Sequence, residues 1–144
     1  MKVILYILFL VLVSCSPKKV EKERSDSLFR YSKVLRQAKL ENKKILILFG
    51  ADWCPDCKAM DRMLTEPDVQ QIVESNYILM KVDVGRFDKN LDFAQKFGNP
   101  ITKGIPAFVI LSNEEKVLVA TNNGRFASAR KMKKQAVADF LLAY

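Results

Sequence analysis

The chain of 144 residues contains no histidine, and that absence excludes more than any other feature of its composition. Without an imidazole there is no Ser-His-Asp or Cys-His triad, no His-ligated metal site and no histidine proton shuttle. Cysteines, carboxylates, lysines and tyrosines are the chemical groups that remain. Cysteine is itself scarce, with three residues at positions 15, 54 and 57. There are only five glycines, with no Gly-rich loop and no basic stripe interleaved with aromatics, so nucleic acid is not an expected partner. Long apolar runs are missing too. The longest, Val3 to Val13, has eleven residues. As a helix it spans about 16 Å, against a hydrocarbon core of roughly 30 Å. Preceded by Met1-Lys2, it reads as an export signal rather than a membrane span. No repeat or low-complexity segment occurs.

What is present supports one small domain. Hydrophobic residues make up 49% of the chain, and nine Phe, four Tyr and one Trp supply a core. The formal charge of +8 is concentrated toward the ends. Lys18 to Lys44 holds ten basic and four acidic residues, whereas Ile45 to Gly124 holds eight basic and eleven acidic. The excess positive charge reads as a solvated surface.

The end of the apolar run is informative. Leu12-Val13-Ser14-Cys15 resembles the bacterial lipoprotein signal, in which cleavage precedes a cysteine that is then lipidated. The other reading is an ordinary export signal that happens to contain a cysteine. The resemblance implies a removed segment 1–14, acylation of Cys15 on thiol and amine with fatty acid such as palmitate, a polar tether over 15–25, and a domain over 26–144. Two or more acyl chains are what stable anchoring requires. The expected location is therefore outside the cytoplasm, tied by lipid to a bacterial membrane. In a Gram-negative cell Ser16 is compatible with the periplasmic face of the outer membrane, because the aspartate of the inner-membrane retention signal is missing.

Apolar periodicity orders the domain. Leu28, Tyr31, Val34, Leu35 and Ala38 recur at spacings of three and four, which predicts an amphipathic helix over 27–40. Ile45 to Phe49 is uniformly apolar and reads as a central strand covered on both faces. A helix opens at Cys54 with Ala59, Met60, Met63 and Leu64 inward; Pro67 interrupts it, and one or two further turns follow over 68–75. Tyr77 to Val82 is a second strand, and Leu91, Ala94 and Phe97 mark a short helix stopped by Gly98 and Pro100. Strands over 107–111 and 117–121 form a hairpin, and a final helix begins near Ser128 with Met132, Ala136, Val137, Phe140 and Leu141 on one face. A strand–helix–strand crossover followed by a hairpin predicts an α/β fold, a small mixed sheet of about four strands flanked by helices.

The chemistry sits in Trp53-Cys54-Pro55-Asp56-Cys57-Lys58, between the buried strand and a helix. Taken alone, a Cys-x-x-Cys pair is half a metal site, a redox pair or two inert core cysteines. A structural zinc wants four ligands, and the chain has no His and one other Cys, so no metal is expected. Charged Asp56 and Lys58 argue against an inert pair, which leaves a redox dithiol as the favoured reading, with no cofactor. Cys54 at a helix start faces unpaired N–H groups and the positive end of the helix dipole, which favour a thiolate. Cys57 lies three residues on, placed to attack a mixed disulfide made by Cys54, and is expected to be the less exposed of the two. Pro55 fits the first helical position. Asp56 suits a helix start, yet its charge opposes the thiolate.

These residues resemble the active-site segment of the thioredoxin superfamily, especially its small exported members. The resemblance covers Ile45 to Tyr144 and includes Phe49 to Lys58, Lys81-Val82-Asp83, and Gly104-Ile105-Pro106 in the place of the family's cis-proline loop. It implies Cys54 as nucleophile, Cys57 as resolving thiol, Pro106 against the pair, and a substrate face of Trp53, Pro55, Asp56 and the Ile105 backbone. It also implies a thiol–disulfide oxidoreductase acting on cysteine-containing envelope proteins, with electrons from a membrane-associated donor. Reduction is the favoured direction; oxidase or isomerase action, or a non-catalytic peptide-binding role, are the alternatives. Leu48 stands where cytoplasmic reductants carry a buried aspartate, so water, Asp83 or Lys81 must take the proton from Cys57.

Overall fold

A strand with no wet face needs cover on both sides, and the sheet is arranged to supply it. The computed structural model describes residues 17–144; the expected signal segment 1–14 and Cys15 lie outside the described residues. β1 (Lys44–Gly50) pairs in parallel with β2 (Tyr77–Asp83) and antiparallel with β3 (Ala107–Leu111). β4 (Val117–Ala120) closes the order β2-β1-β3-β4. Residues Ile45 to Phe49 are all buried, because alternate side chains feed two separate cores.

Ile45, Ile47 and Phe49 pack with Tyr31, Phe93, Phe97 and Ile101 on the face covered by α1 (Pro17–Glu41) and α4 (Leu91–Gln95). Leu46 and Leu48 pack with Met60, Leu64, Val73, Phe126 and Phe140 on the opposite face. That face is covered by α2 (Pro55–Leu64), α3 (Pro67–Asn76) and α5 (Lys134–Leu142). The second core is centred on an aromatic triad. Phe126 stands edge-on to Phe108 and to Phe140, with ring centroids 5.0 Å apart in each case. The buried Tyr77 hydroxyl donates to the Leu141 carbonyl at 2.6 Å, tying the end of α5 to the start of β2.

Three element boundaries differ from the sequence reading. α1 reaches back to Pro17, through the segment expected as a tether, because the charged residues there are good helix formers. Pro67 does not merely interrupt α2. It occupies the first turn of α3, where its missing N–H has no partner to lose, and α3 runs a full ten residues. α5 begins at Lys134 rather than near Ser128. A 3-10 turn over Ala129–Lys131 precedes it, and Met132 then leaves the helical conformation with ψ at 150°. Among the described residues no helix is long and apolar enough to cross a membrane.

Candidate active site

The chain leaves β1 through Gly50 and enters α2 with Cys54 as its N-cap. Cys54 has extended backbone angles, and its sulfur accepts the backbone N–H of Cys57 at 3.1 Å. A cysteine thus does what serine or aspartate usually does at a helix start. The same donor favours a thiolate when the pair is reduced. The dipole of α2 adds roughly 0.3–1 kcal/mol, up to about 2 when partly buried. Pro55 follows at the first helical position, as its sequence position predicts. Cys54 and Cys57 are joined as a disulfide with their Cα atoms 5.2 Å apart.

Both cysteines are buried, Cys54 at 4% and Cys57 at 6% exposure, so whole-residue exposure does not make Cys57 the more hidden. Their surroundings differ instead. The Cys54 sulfur lies 3.7 Å from the Ile105 carbonyl oxygen. A Cβ added to Gly50 would stand 3.3 Å from the Cys57 sulfur, which therefore abuts the end of β1. The Ile105–Pro106 peptide is cis, and both residues are buried beside the pair. The turn carrying them rests on the loop at Gly124. There φ is +74° and a Cβ would meet the Lys103 carbonyl oxygen at 2.9 Å, so glycine is needed twice over.

The Asp56 side chain is engaged by Arg130. Its carboxylate accepts the Arg130 backbone N–H at 2.9 Å and the guanidinium Nε at 3.3 Å. That backbone donor above all, and the guanidinium after it, hold Asp56 below the usual carboxylate range. The positive partner softens the opposition to a thiolate expected from Asp56 alone. Arg130 lies 74 positions along the chain from Asp56, in a 3-10 turn that sequence periodicity assigns to a helix.

Trp53 stands on the rim, 46% exposed, and its indole N–H donates to the Gly85 carbonyl at 2.7 Å. The loop it grips follows β2 and holds Gly85, Phe87 and Asn90 at positive φ. Phe87, with φ at 63°, is the unusual member; an aromatic residue there costs about 1–3 kcal/mol. Its ring meets Trp53 edge-on at 6.3 Å.

Behind Cys57 lies a cavity of about 140 Å³, bordered by Leu48, Cys57, Lys58, Asp61, Lys81 and Asp83. Lys81 pairs with Asp61 at 2.6 Å, and Asp83 with Lys89 at 3.3 Å. Leu48 contributes only hydrocarbon, so the carboxylates of this cavity are those of Asp52, Asp61 and Asp83, all at its exposed edge. Of the residues named from sequence, Cys54, Cys57, Ile105 and Pro106 come together, Trp53 borders them, Pro55 opens the helix after the Cys54 cap and Asp56 faces Arg130. Arg130, Asp61 and Phe87 were not legible as site residues. Only the clustered turn formers Asp83, Gly85, Asp88 and Asn90 hint at an ordered loop.

A family model described as thioredoxin-like matches residues 28–113. The chain belongs to the thioredoxin-like family. A thioredoxin from Buchnera aphidicola subsp. Baizongia pistaciae is 33% identical over 112 residues, 77% of this chain and 88% of the relative. The crystal structure of a disulphide isomerase from Xylella fastidiosa Temecula1 superposes with a TM-score of 0.79 at 38% identity, covering 82% of this chain and 90% of that one. A thioredoxin from Thermus thermophilus shares the fold, with a TM-score of 0.60 at 20% identity over 78% of this chain and 82% of that one. In this thioredoxin-like chain a Cys-x-x-Cys pair at the start of α2 is the equipment of a thiol–disulfide oxidoreductase.

Proposed function

We propose that the chain reduces disulfides of exported proteins, tethered to a bacterial membrane through lipid on Cys15. The observation carrying the chemistry is the environment of the Cys54 sulfur: an N–H from Cys57 at 3.1 Å and the Ile105 backbone at 3.7 Å. In the reduced protein the Cys54 thiolate attacks one sulfur of a substrate disulfide. The substrate S–S bond breaks, one thiolate leaves, and a Cys54–substrate disulfide forms. Cys57 loses its proton toward the cavity and attacks the Cys54 sulfur. The mixed disulfide breaks, the second substrate thiolate leaves, and two electrons have passed to the substrate. A membrane-associated dithiol donor then reduces the Cys54–Cys57 disulfide, since the compartment outside the cytoplasm has no reducing pool. Trp53, Pro55, Asp56 and the Ile105 backbone form the face on which an extended substrate segment lies, with Pro106 against the sulfurs.

The reducing direction rests on the local charges. No cation lies between the cysteines, and Asp56 sits in the first turn, so the thiolate lacks the strong stabilisation that makes an oxidant. Isomerase action is the second reading, favoured by the 38% identity to the disulphide isomerase structure. Equilibration with glutathione, followed by alkylation and mass spectrometry, tests the direction. The expected potential is nearer about −270 than about −120 mV; a value near −120 mV promotes the oxidase reading. Scrambled-disulfide refolding without net reduction favours the isomerase. In parallel, Cys57→Ala traps substrate as a mixed disulfide on Cys54, whereas faster alkylation of Cys57 in Cys54→Ala reverses the two roles. Intact-mass analysis of membrane-purified protein tests the anchor; an unmodified Cys15 removes it.

A further inference from the structure

Cys57 is buried at 6% exposure, yet its thiol must lose a proton each time it resolves a mixed disulfide. The substrate is still bonded to Cys54 during that step, so the space available to the proton is the cavity behind Cys57. At about 140 Å³ the cavity has room for water, which needs only about 10–15 Å³.

Asp61 and Lys81 hold a special place at its border. Both also line an open groove of about 500 Å³ between the end of α1, α3 and β2. Among the described residues no third one lines both spaces. Their ion pair, 2.6 Å long, is therefore the partition between the space behind Cys57 and the open groove. Both side chains are about half exposed, as a partition wetted on one side must be. The chain builds it from two regular elements. Asp61 follows Cys57 by four positions on α2, about 6 Å along the same helix face. Lys81, on β2, is the register partner of Leu48, another residue of the cavity wall.

The other charges around the pair do not bridge the two spaces. On the cavity side stand Asp52, Lys58 and Asp83; on the groove side stand Glu41, Lys43 and Glu74. Asp83 accepts the Gly85 N–H and pairs with Lys89. Glu41 pairs with Lys43, and Glu74 accepts from Gln70. Asp52 is exposed in the turn ahead of Cys54, and Lys58 is a cation.

Resting on the oxidoreductase reading, we infer that Asp61 is the proton acceptor for Cys57, and that the Asp61–Lys81 pair is the proton's exit to solvent through the groove beside β2. The Cys57 S–H bond breaks, and its proton crosses the cavity to a carboxylate oxygen of Asp61. The sulfur keeps the electron pair with which it attacks the Cys54 sulfur. Asp61 then gives the proton up to solvent in the groove. Lys81 is a positioning residue that holds the carboxylate at the partition. When a donor dithiol reduces the Cys54–Cys57 disulfide, the proton returns by the same route.

The test uses the full-length protein carrying Cys15→Ser, so that two thiols remain, and dithiobis(nitrobenzoate), a disulfide that releases a coloured thiolate. Attack by Cys54 releases one thiolate and resolution by Cys57 the second, and stopped-flow absorbance separates the phases. Cys57→Ala identifies the first phase by abolishing the second. Asp61→Asn keeps the size of the side chain and an oxygen for Lys81. It is expected to slow the second phase at pH 7 by more than about fivefold and to leave the first within about twofold. The gap is expected to close above about pH 9, where a cysteine thiol ionises without a base. A purely electrostatic role predicts the opposite sign, because losing a negative charge eases ionisation of a neighbouring thiol. A smaller slowing, an acceleration, a slowing shared by the first phase, or a gap that persists at high pH overturns the assignment. So does an equal slowing in Asp52→Asn or Asp83→Asn. Each of these outcomes leaves the oxidoreductase reading intact. A protein with Asp61 in place that shows no second phase overturns that reading, and the proton route with it.

Discussion

Replacing Leu48 with aspartate puts a buried carboxylate beside Cys57 and tests what limits proton loss from that thiol. Leu48 is 4% exposed, borders the cavity with Cys57, and stands opposite Lys81 in the β1–β2 register. Removing the buried Leu side chain costs about 1.5–3 kcal/mol of apolar burial. The new carboxylate is desolvated, so its folded pKa rises above the unfolded value of about 3.9. The sign follows from proton counting. Between the unfolded and folded pKa the native state holds more protons than the unfolded one, and stability falls as pH rises. The slope is about 1.4 kcal/mol per pH unit, ending at the folded pKa. Lys81 limits the rise by offering a cation across the strand pair. A rise of about two units would make Leu48→Asp about 2 kcal/mol less stable at pH 7 than at pH 4, measured against wild type. The same carboxylate accepts the Cys57 proton, so resolution of a mixed disulfide should reach its plateau at lower pH. Urea unfolding of the oxidised proteins at several pH values measures the first effect, and stopped-flow resolution the second. A stability difference independent of pH, together with an unchanged rate profile, would refute the reasoning. It would mean that the cavity is open to bulk water and that Leu48 does not govern the proton.

Two further substitutions probe named contacts. Asp56→Asn removes a negative charge from the first turn of α2 and frees Arg130. The Cys54 thiolate should gain, and the potential should move in the oxidising direction by up to about 30 mV, equivalent to about 1.4 kcal/mol; a shift in the reducing direction contradicts the assignment. Because the Asp56 pKa is depressed in the folded protein, its contribution is present above about pH 4 and lost as pH falls through the folded value; acid unfolding of Asp56→Asn should therefore show less loss over that window. Tyr77→Phe leaves the buried Leu141 carbonyl without its 2.6 Å donor and should cost about 1–3 kcal/mol in urea unfolding, whereas a change under about 0.5 kcal/mol would show that water replaces the hydroxyl.

The elements and the dithiol were legible because their information is local. Ile45 to Phe49 carries no polar side chain, so only a central strand accommodates it, and the two buried cores on its faces follow. Periodicity located α2, α4 and the hairpin, while misjudging α1 and α5 at their starts. Charged helix formers between Pro17 and Asp26 have no apolar rhythm to reveal them. The apolar spacing of α5 continues back through Met132, where the backbone is extended.

The sequence by itself determined the mixed sheet, the order of its helices, and a Cys-x-x-Cys pair at a helix start, since each depends on neighbours within a few turns or strands of chain. Even the thiolate-favouring contact from the Cys57 N–H to the Cys54 sulfur spans only three residues. Tertiary structure alone decided how that pair is surrounded. Asp56 meets Arg130 across 74 positions, the Cys54 sulfur meets Ile105 across 51, and Trp53 grips Gly85 across 32. Such partners are set by how loops from separate strand ends converge above the sheet, and no periodicity encodes that. The electrostatic force on a sulfur falls off with distance in space, not along the chain. The residue types were therefore readable in order, but the field and the groove they create exist only after folding brings them together.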